Sequence, residues 1–139
     1  MSERAPRRYA LPVRVYLEDT DAQGVVYNAS YFRFMERART ECLRAAGVDH
    51  DELLRAFGIS LVLSRIETRF IAPARLSDLL CVTAEISDVR GARMTFTQAV
   101  FRGDERGDLL CDGTAEVACM DLSANRPKRF PKTLVSEWT

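Results

Sequence analysis

The chain is poor in the side chains that most enzymes use to bind metals or move protons. It has a single histidine, His50, in 139 residues. No two-histidine metal site can form within one chain, and a zinc-protease helix with paired histidines is excluded. A Ser-His-Asp triad would have to use His50, which sits in the polar run Val48-Asp49-His50-Asp51-Glu52 and reads as a surface residue at a helix start. Cysteine is sparse: Cys42, Cys81, Cys111 and Cys119. No pair has the C-x-x-C spacing of a zinc ribbon or a thioredoxin-type site. Each lies among apolar residues and is expected as a buried free thiol in a reducing compartment. There is no excess of either charge, 20 basic against 20 acidic residues. No global field therefore draws nucleic acid or an anionic membrane surface. Apolar runs are short, such as Leu61-Val62-Leu63 and Leu79-Leu80-Cys81-Val82, so no segment spans a bilayer. Met1 to Arg8 carries Arg4, Arg7 and Arg8 with no apolar stretch behind it, and does not read as a secretory signal.

What remains is ordinary globular composition, 47% hydrophobic and 29% charged, enough for one domain over 1–139 with a real core. Residues 1–8 are expected to fray. Leu11 to Leu17 alternates apolar and polar side chains, the mark of a strand with one buried face. Glu18 to Gly24 breaks that pattern as a loop. From Tyr31 the apolar residues Tyr31, Phe34, Met35, Ala38, Cys42, Ala45 and Ala46 draw one helical stripe. Asn28 or Ser30 is a candidate cap, and Gly47 the terminator. A short second helix is expected over 49–56. Strands follow at 60–70, 79–89, 93–102 and 109–121, joined by turns at Arg90-Gly91-Ala92 and at 103–107. The basic tail, with Arg126, Lys128, Arg129 and Lys132, is expected to finish in a helical turn. Tight turns force antiparallel pairing. One long helix against one curved antiparallel sheet is an α+β layer solution. The outer sheet face is not plainly polar, which points to a homo-oligomer.

The chemistry-bearing segment is Glu18-Asp19-Thr20-Asp21-Ala22-Gln23-Gly24-Val25-Val26-Tyr27-Asn28. Two carboxylates and a glycine precede the free amides of a helix start. That place suits a polarised carbonyl or a developing oxyanion, with a carboxylate beside it as base or nucleophile. A calcium loop fits poorly, because Ser30 stands where a bidentate glutamate is required. An aspartyl phosphatase would need a longer, parallel α/β chain. Simple helix capping by the aspartates is the plainest alternative.

This loop, followed by Tyr31 and by Glu36-Arg37-Ala38-Arg39-Thr40-Glu41, resembles the signature of the 4-hydroxybenzoyl-CoA thioesterase family of hotdog-fold proteins. Within that family it is most similar to the Tol-Pal-associated acyl-CoA thioesterases. Ala72 to Asp78, Arg90-Gly91, Phe96-Thr97-Gln98 and Pro127 to Lys132 extend the likeness along the chain. The resemblance implies a curved antiparallel sheet wrapped around one long helix, paired across a dimer into a continuous sheet, with tetramers common. It implies hydrolysis of an acyl-CoA to a free acid and CoA, without metal or cofactor, in the cytoplasm. Asp21, the second aspartate of the D-T-D loop, would be nucleophile or general base. Backbone amides near Val26, Tyr27 and Asn28 would hold the carbonyl, with Gly24, Val25 and Tyr31 around the substrate. Arg65 and Arg90 are candidates for the CoA phosphates. Acyl carrier protein is the other possible handle on the acyl group.

Two positions depart from that branch. Leu17 stands where it usually has tyrosine, and Asn28 where it usually has histidine. On a strand, Tyr16 would point away from Leu17 and could not substitute for it. Asn28 cannot transfer a proton near neutral pH. This motivates an alternative, a non-catalytic acyl-thioester or acyl-carrier-protein binder at the cell envelope. A hotdog hydratase is disfavoured, since it needs a histidine near the helix.

Overall fold

The computed structural model describes residues 7–132. In chain order the elements are β1 (Arg8–Arg14), α1 (Asn28–Ala45), α2 (His50–Phe57), β2 (Ile59–Phe70), β3 (Leu79–Arg90), β4 (Arg93–Arg102), β5 (Leu109–Asp121) and a short β6 (Arg126–Pro127). The main sheet is antiparallel in the order β1-β3-β4-β5-β2, and β6 continues on β5. α1 packs across β1 and β3, so the sheet curls around it. This is the α+β hotdog arrangement expected from the resemblance.

The alternation that marks β4 becomes its packing. Met94, Phe96, Gln98 and Val100 point inward and are buried. Leu80, Val82, Ala84 and Ile86 do the same on β3, and Phe34, Met35, Ala38 and Cys42 face them from α1. Gln98 is the polar member of this core, and it is fully bonded. Its Nε2 donates to the Met35 carbonyl of α1 at 2.9 Å and to the Thr83 carbonyl of β3 at 3.3 Å. Its Oε1 accepts from Arg39 Nη1 at 2.9 Å. Thus a side chain of the sheet fixes the middle of the helix, where an unbonded amide would cost about 1–3 kcal/mol.

Several expectations need correction. β1 begins at Arg8, opposite Glu85, so the N-terminal fraying does not include Arg8. Residues 1–6 lie outside the described residues, as does the tail beyond Lys132. Leu17 is not on a strand. It opens a 3-10 turn, Leu17–Asp19, and is 74% exposed, with Tyr16 exposed beside it. Tyr16 and Leu17 therefore do not occupy opposite faces of a strand; both are exposed. α1 starts three residues before Tyr31, and its N-cap is Tyr27 with no side-chain capping bond. Neither Asn28 nor Ser30 caps it; the Ser30 hydroxyl donates to the Asp19 carbonyl at 3.1 Å. α2 is capped by Asp49, whose side chain accepts from the Asp51 amide, and His50 is exposed at its first position.

Cys42, Cys111 and Cys119 are buried, and Cys81 is half-buried. Burial pushes the three buried thiols up to about 11, 12 and 11 respectively. The thiolate is the reactive form, so these thiols should resist a disulfide reagent at neutral pH in the native protein and react after denaturation. Counting thiols released with and without denaturant checks this. Because the folded values lie above the ordinary 9.0, native stability is fully kept below that pH. It falls as pH rises from there to about 12, as the unfolded chain loses its thiol protons first. Urea midpoints at pH 8 and pH 10.5 should show the decline.

Candidate active site

The two aspartates of the loop have different surroundings. Asp19 is buried, 6% exposed. Its Oδ2 accepts from the Tyr16 amide at 2.8 Å, and its Oδ1 pairs with Arg33 Nη2 at 3.1 Å. Its carbonyl accepts from the Tyr27 amide at 3.0 Å and from Ser30 Oγ. Asp19 thereby ties the end of β1 to the start of α1. Asp21 is exposed. Its Oδ1 accepts from the Gln23 amide at 2.8 Å, and its Oδ2 has no partner among the described residues. The Gly24 amide donates to the Asp21 carbonyl at 3.1 Å, and Gly24 takes φ +78° to close this tight turn. One carboxylate builds the loop and the other is left free on its surface.

A second loop holds the first in place. The Val26 amide donates to the Ala74 carbonyl at 2.8 Å, and the Ala74 amide donates to Tyr31 Oη at 2.9 Å. Burial pushes the Tyr31 hydroxyl above its ordinary range, so it stays a neutral phenol. Arg102 anchors the second loop to the sheet: Nη2 donates to the Pro73 carbonyl at 2.7 Å and Nε to Asp78 Oδ2 at 3.3 Å.

Between the loops lies a cleft of about 430 Å³ lined by Asp21, Val25, Val26, Tyr27, Asn28 and Tyr31 from the first, and by Phe70 to Pro73 from the second. The carbonyl-holding amides expected near Val26 and Tyr27 are already engaged, with Ala74 and Asp19. The Ser30 amide donates to Tyr27. The amides of Asn28 and Ala29 have no backbone partner among the described residues, nor does that of Val25 in the preceding turn. Asn28 and Ala29 open the first turn of α1, where the helix dipole adds partial positive charge. An uncapped helix start, a free carboxylate and an apolar wall can polarise a carbonyl and deliver water to it.

Of the residues singled out from the sequence, Asp21, Val25, Val26, Tyr27, Asn28 and Tyr31 come together here, with Gly24 shaping the turn. Arg65 and Arg90 do not. Arg65 stands outward on β2, paired with Glu67. Arg90 is at the far end of β3, paired with Asp88 at 3.0 Å. It lies eleven positions along β3 from Leu79, which pairs with Arg14 where the loop begins; a strand covers about 36 Å over eleven steps. Phe70, Ile71 and Pro73 also wall the cleft, although the sequence pattern does not single them out. The apolar Phe70-Ile71 pair before Ala72-Pro73, at a strand end, was the signal available. On α1, Glu36 and Arg39, and Arg37 and Glu41, have helical pairing spacing but form no ion pair among the described residues; Glu41 pairs with Arg44 at 3.8 Å. No helix among them is long and apolar enough to cross a membrane.

Known proteins share the fold and much of the sequence. The thioesterase-like superfamily model matches residues 15–138. A Haemophilus influenzae protein named acyl-CoA thioesterase YbgC is 43% identical over 124 residues, 89% of each chain. An Escherichia coli protein named acyl-CoA thioester hydrolase YbgC is 42% identical over 127 residues, 91% of this chain and 92% of that one. A probable thioesterase from Bartonella henselae superposes with a TM-score of 0.82 at 32% identity, covering 89% of this chain and 99% of that one. The chain belongs to the thioesterase-like superfamily.

Proposed function

We propose that the protein hydrolyses acyl-CoA thioesters in the cytoplasm, with Asp21 as the catalytic carboxylate. One observation carries this reading: Asp21, with one carboxylate oxygen unbonded, lines the same cleft as Asn28, the first residue of α1, whose amide has no backbone partner among the described residues. Its relatives' names point to the same chemistry. The thioester carbonyl oxygen would accept from the Asn28 and Ala29 amides. Asp21 would take a proton from water as the water oxygen bonds to the carbonyl carbon. The resulting oxyanion is stabilised by the same amides. Its collapse breaks the C–S bond, and the departing thiolate recovers the proton from Asp21, leaving acid and CoA. Direct attack by Asp21, with later hydrolysis of the anhydride, uses the same groups. Asn28 supplies hydrogen bonds but no proton.

The inward residues of β2 support a dimer. β2 is an edge strand, and α1 lies over β1 and β3 instead. Leu63 is 45% and Phe70 43% exposed. Edge pairing of two β2 strands would extend the sheet and cover these side chains. Leu63→Asp should shift the protein to monomer in light scattering, with the fold kept. Within one chain Arg65 and Arg90 are remote from Asp21; we assign them to the CoA phosphates only as groups supplied by a second copy. A dimer of dimers, or acyl carrier protein as the handle, would leave the Asp21 chemistry unchanged.

Thiol release from short, long and aromatic acyl-CoAs tests the function. Turnover is expected on one class. Saturable binding of acyl-CoA without turnover, including on acyl carrier protein substrates, would favour the binder reading that Asn28 motivates.

A further inference from the structure

Arg39 is a charged residue inside the protein. It is 7% exposed, and burial lowers its affinity for its proton, partly offset by Glu36. Its one side-chain hydrogen bond among the described residues is Nη1 to the neutral oxygen of Gln98. None of the ion pairs among those residues includes it. A buried cation with no anion in salt-bridge contact is costly. Gln98 cannot neutralise it, and the glutamine's own amide is committed to Met35 and Thr83.

The remaining guanidinium nitrogens are not sealed off. Among the described residues, the polar side-chain atoms that are both sealed and unpartnered are Arg7 Nε and Thr68 Oγ1. Arg39 instead borders a cavity of about 120 Å³ beneath the middle of α1. Its walls are largely apolar: Leu43 from the helix, Leu61 and Leu63 from β2, Phe96 from β4 and Val117 from β5. This cavity shares no lining residue with the cleft at Asp21. A sealed apolar cavity of ~150 Å³ takes up a benzene ring; this one is somewhat smaller but opens toward the exposed Glu36 and His50, so it takes a short aliphatic chain inside or a ring with one edge at the opening. Its polar feature inside is a planar fork of N–H donors, the geometry that suits a carboxylate. Glu36, Thr40 and His50 also line it; Glu36 and His50 are exposed, and no ion pair among the described residues joins Glu36 to Arg39.

We propose that this cavity is a second ligand site, for a small monocarboxylate with an aromatic ring or short aliphatic body, its carboxylate paired with Arg39. The site does not depend on the hydrolytic reading of Asp21. It lies between α1 and the inner face of β2, so an occupant would bridge the helix and the edge strand that α1 leaves uncovered.

Titration of the full-length protein with benzoate and with butyrate, followed by ligand-observed NMR, tests this. Saturable binding is expected for the acids, with benzyl alcohol and 1-butanol at least roughly tenfold weaker, since the charge-assisted pair is lost. Arg39→Gln should weaken benzoate by a similar factor. Val117→Phe, which fills the cavity and keeps Arg39, should abolish binding with cooperative unfolding intact. Asp21→Asn should leave binding unchanged. Equal binding of acids and alcohols, binding retained in Val117→Phe, loss of binding in Asp21→Asn, or no saturable binding to the wild type would each overturn the proposal. Because binding and thiol release are separate readouts, either reading can fail alone.

Discussion

Replacing Asp21 with asparagine should lower kcat on the preferred acyl-CoA by at least ~100-fold while the melting temperature stays within a degree or two. The expectation follows from how little Asp21 does for the fold. It is exposed, its side chain accepts one local amide bond from Gln23, and asparagine retains that acceptor. What asparagine lacks is the ability to take a proton from water or to attack as an anion. KM should change little, because the apolar cleft walls and the α1 amides are untouched. Near wild-type turnover in this variant would remove Asp21 from the mechanism.

Asp19→Ala should behave in the opposite way. Its carboxylate is buried and holds both the Tyr16 amide and Arg33. Removing it strands the Tyr16 amide and frees the turn that leads into α1. A loss of about 2 kcal/mol is expected, a charge-assisted bond plus the cost of the unpaired donor. Arg33 is half exposed, so its share is screened and small. For a chain of this size that corresponds to a fall in Tm on the order of 5–10 °C. Activity should fall too, since the misplaced loop carries Asp21. The pair of variants separates the roles: one loses chemistry at constant stability, the other loses both. Denaturant midpoints measured beside thiol release decide between them. An Asp19→Ala protein as stable as wild type would show that the carboxylate does not hold the loop.

The division between the two aspartates was not legible in the sequence. Asp19 and Asp21 are chemically alike and two residues apart. What distinguishes them is a 3-10 turn that carries Asp19 inward and a Gly24 turn that leaves Asp21 outside. Local patterns were read well where side chains alternate against a single core face. β4 and β5 begin and end where the alternation does. The start of α1 was placed too late, because Asn28, Ala29 and Ser30 add nothing to the apolar stripe; the helix begins there because Tyr27, Ser30 and Val26 are bonded into the two loops. The second loop, from Ile71 to Asp78, was visible only as family-like text. Its part in the site depends on Ala74 meeting Val26 and Tyr31, pairs separated by more than forty residues. Arg39 reads as a solvated helix charge until Gln98, 59 residues away, is brought under it. Periodicity reports which face is inside. It does not report which polar groups long-range pairing will use up, and that decides which carboxylate and which amides remain free.

The most direct test of the account is a crystal structure with a non-hydrolysable acyl-CoA analogue in which a methylene separates the carbonyl from sulfur. The expected result places the carbonyl oxygen within hydrogen-bond distance of the Asn28 and Ala29 amides, with the Asp21 carboxylate beside the carbonyl carbon. An analogue whose carbonyl lies away from both the Asp21 loop and the start of α1 would contradict it.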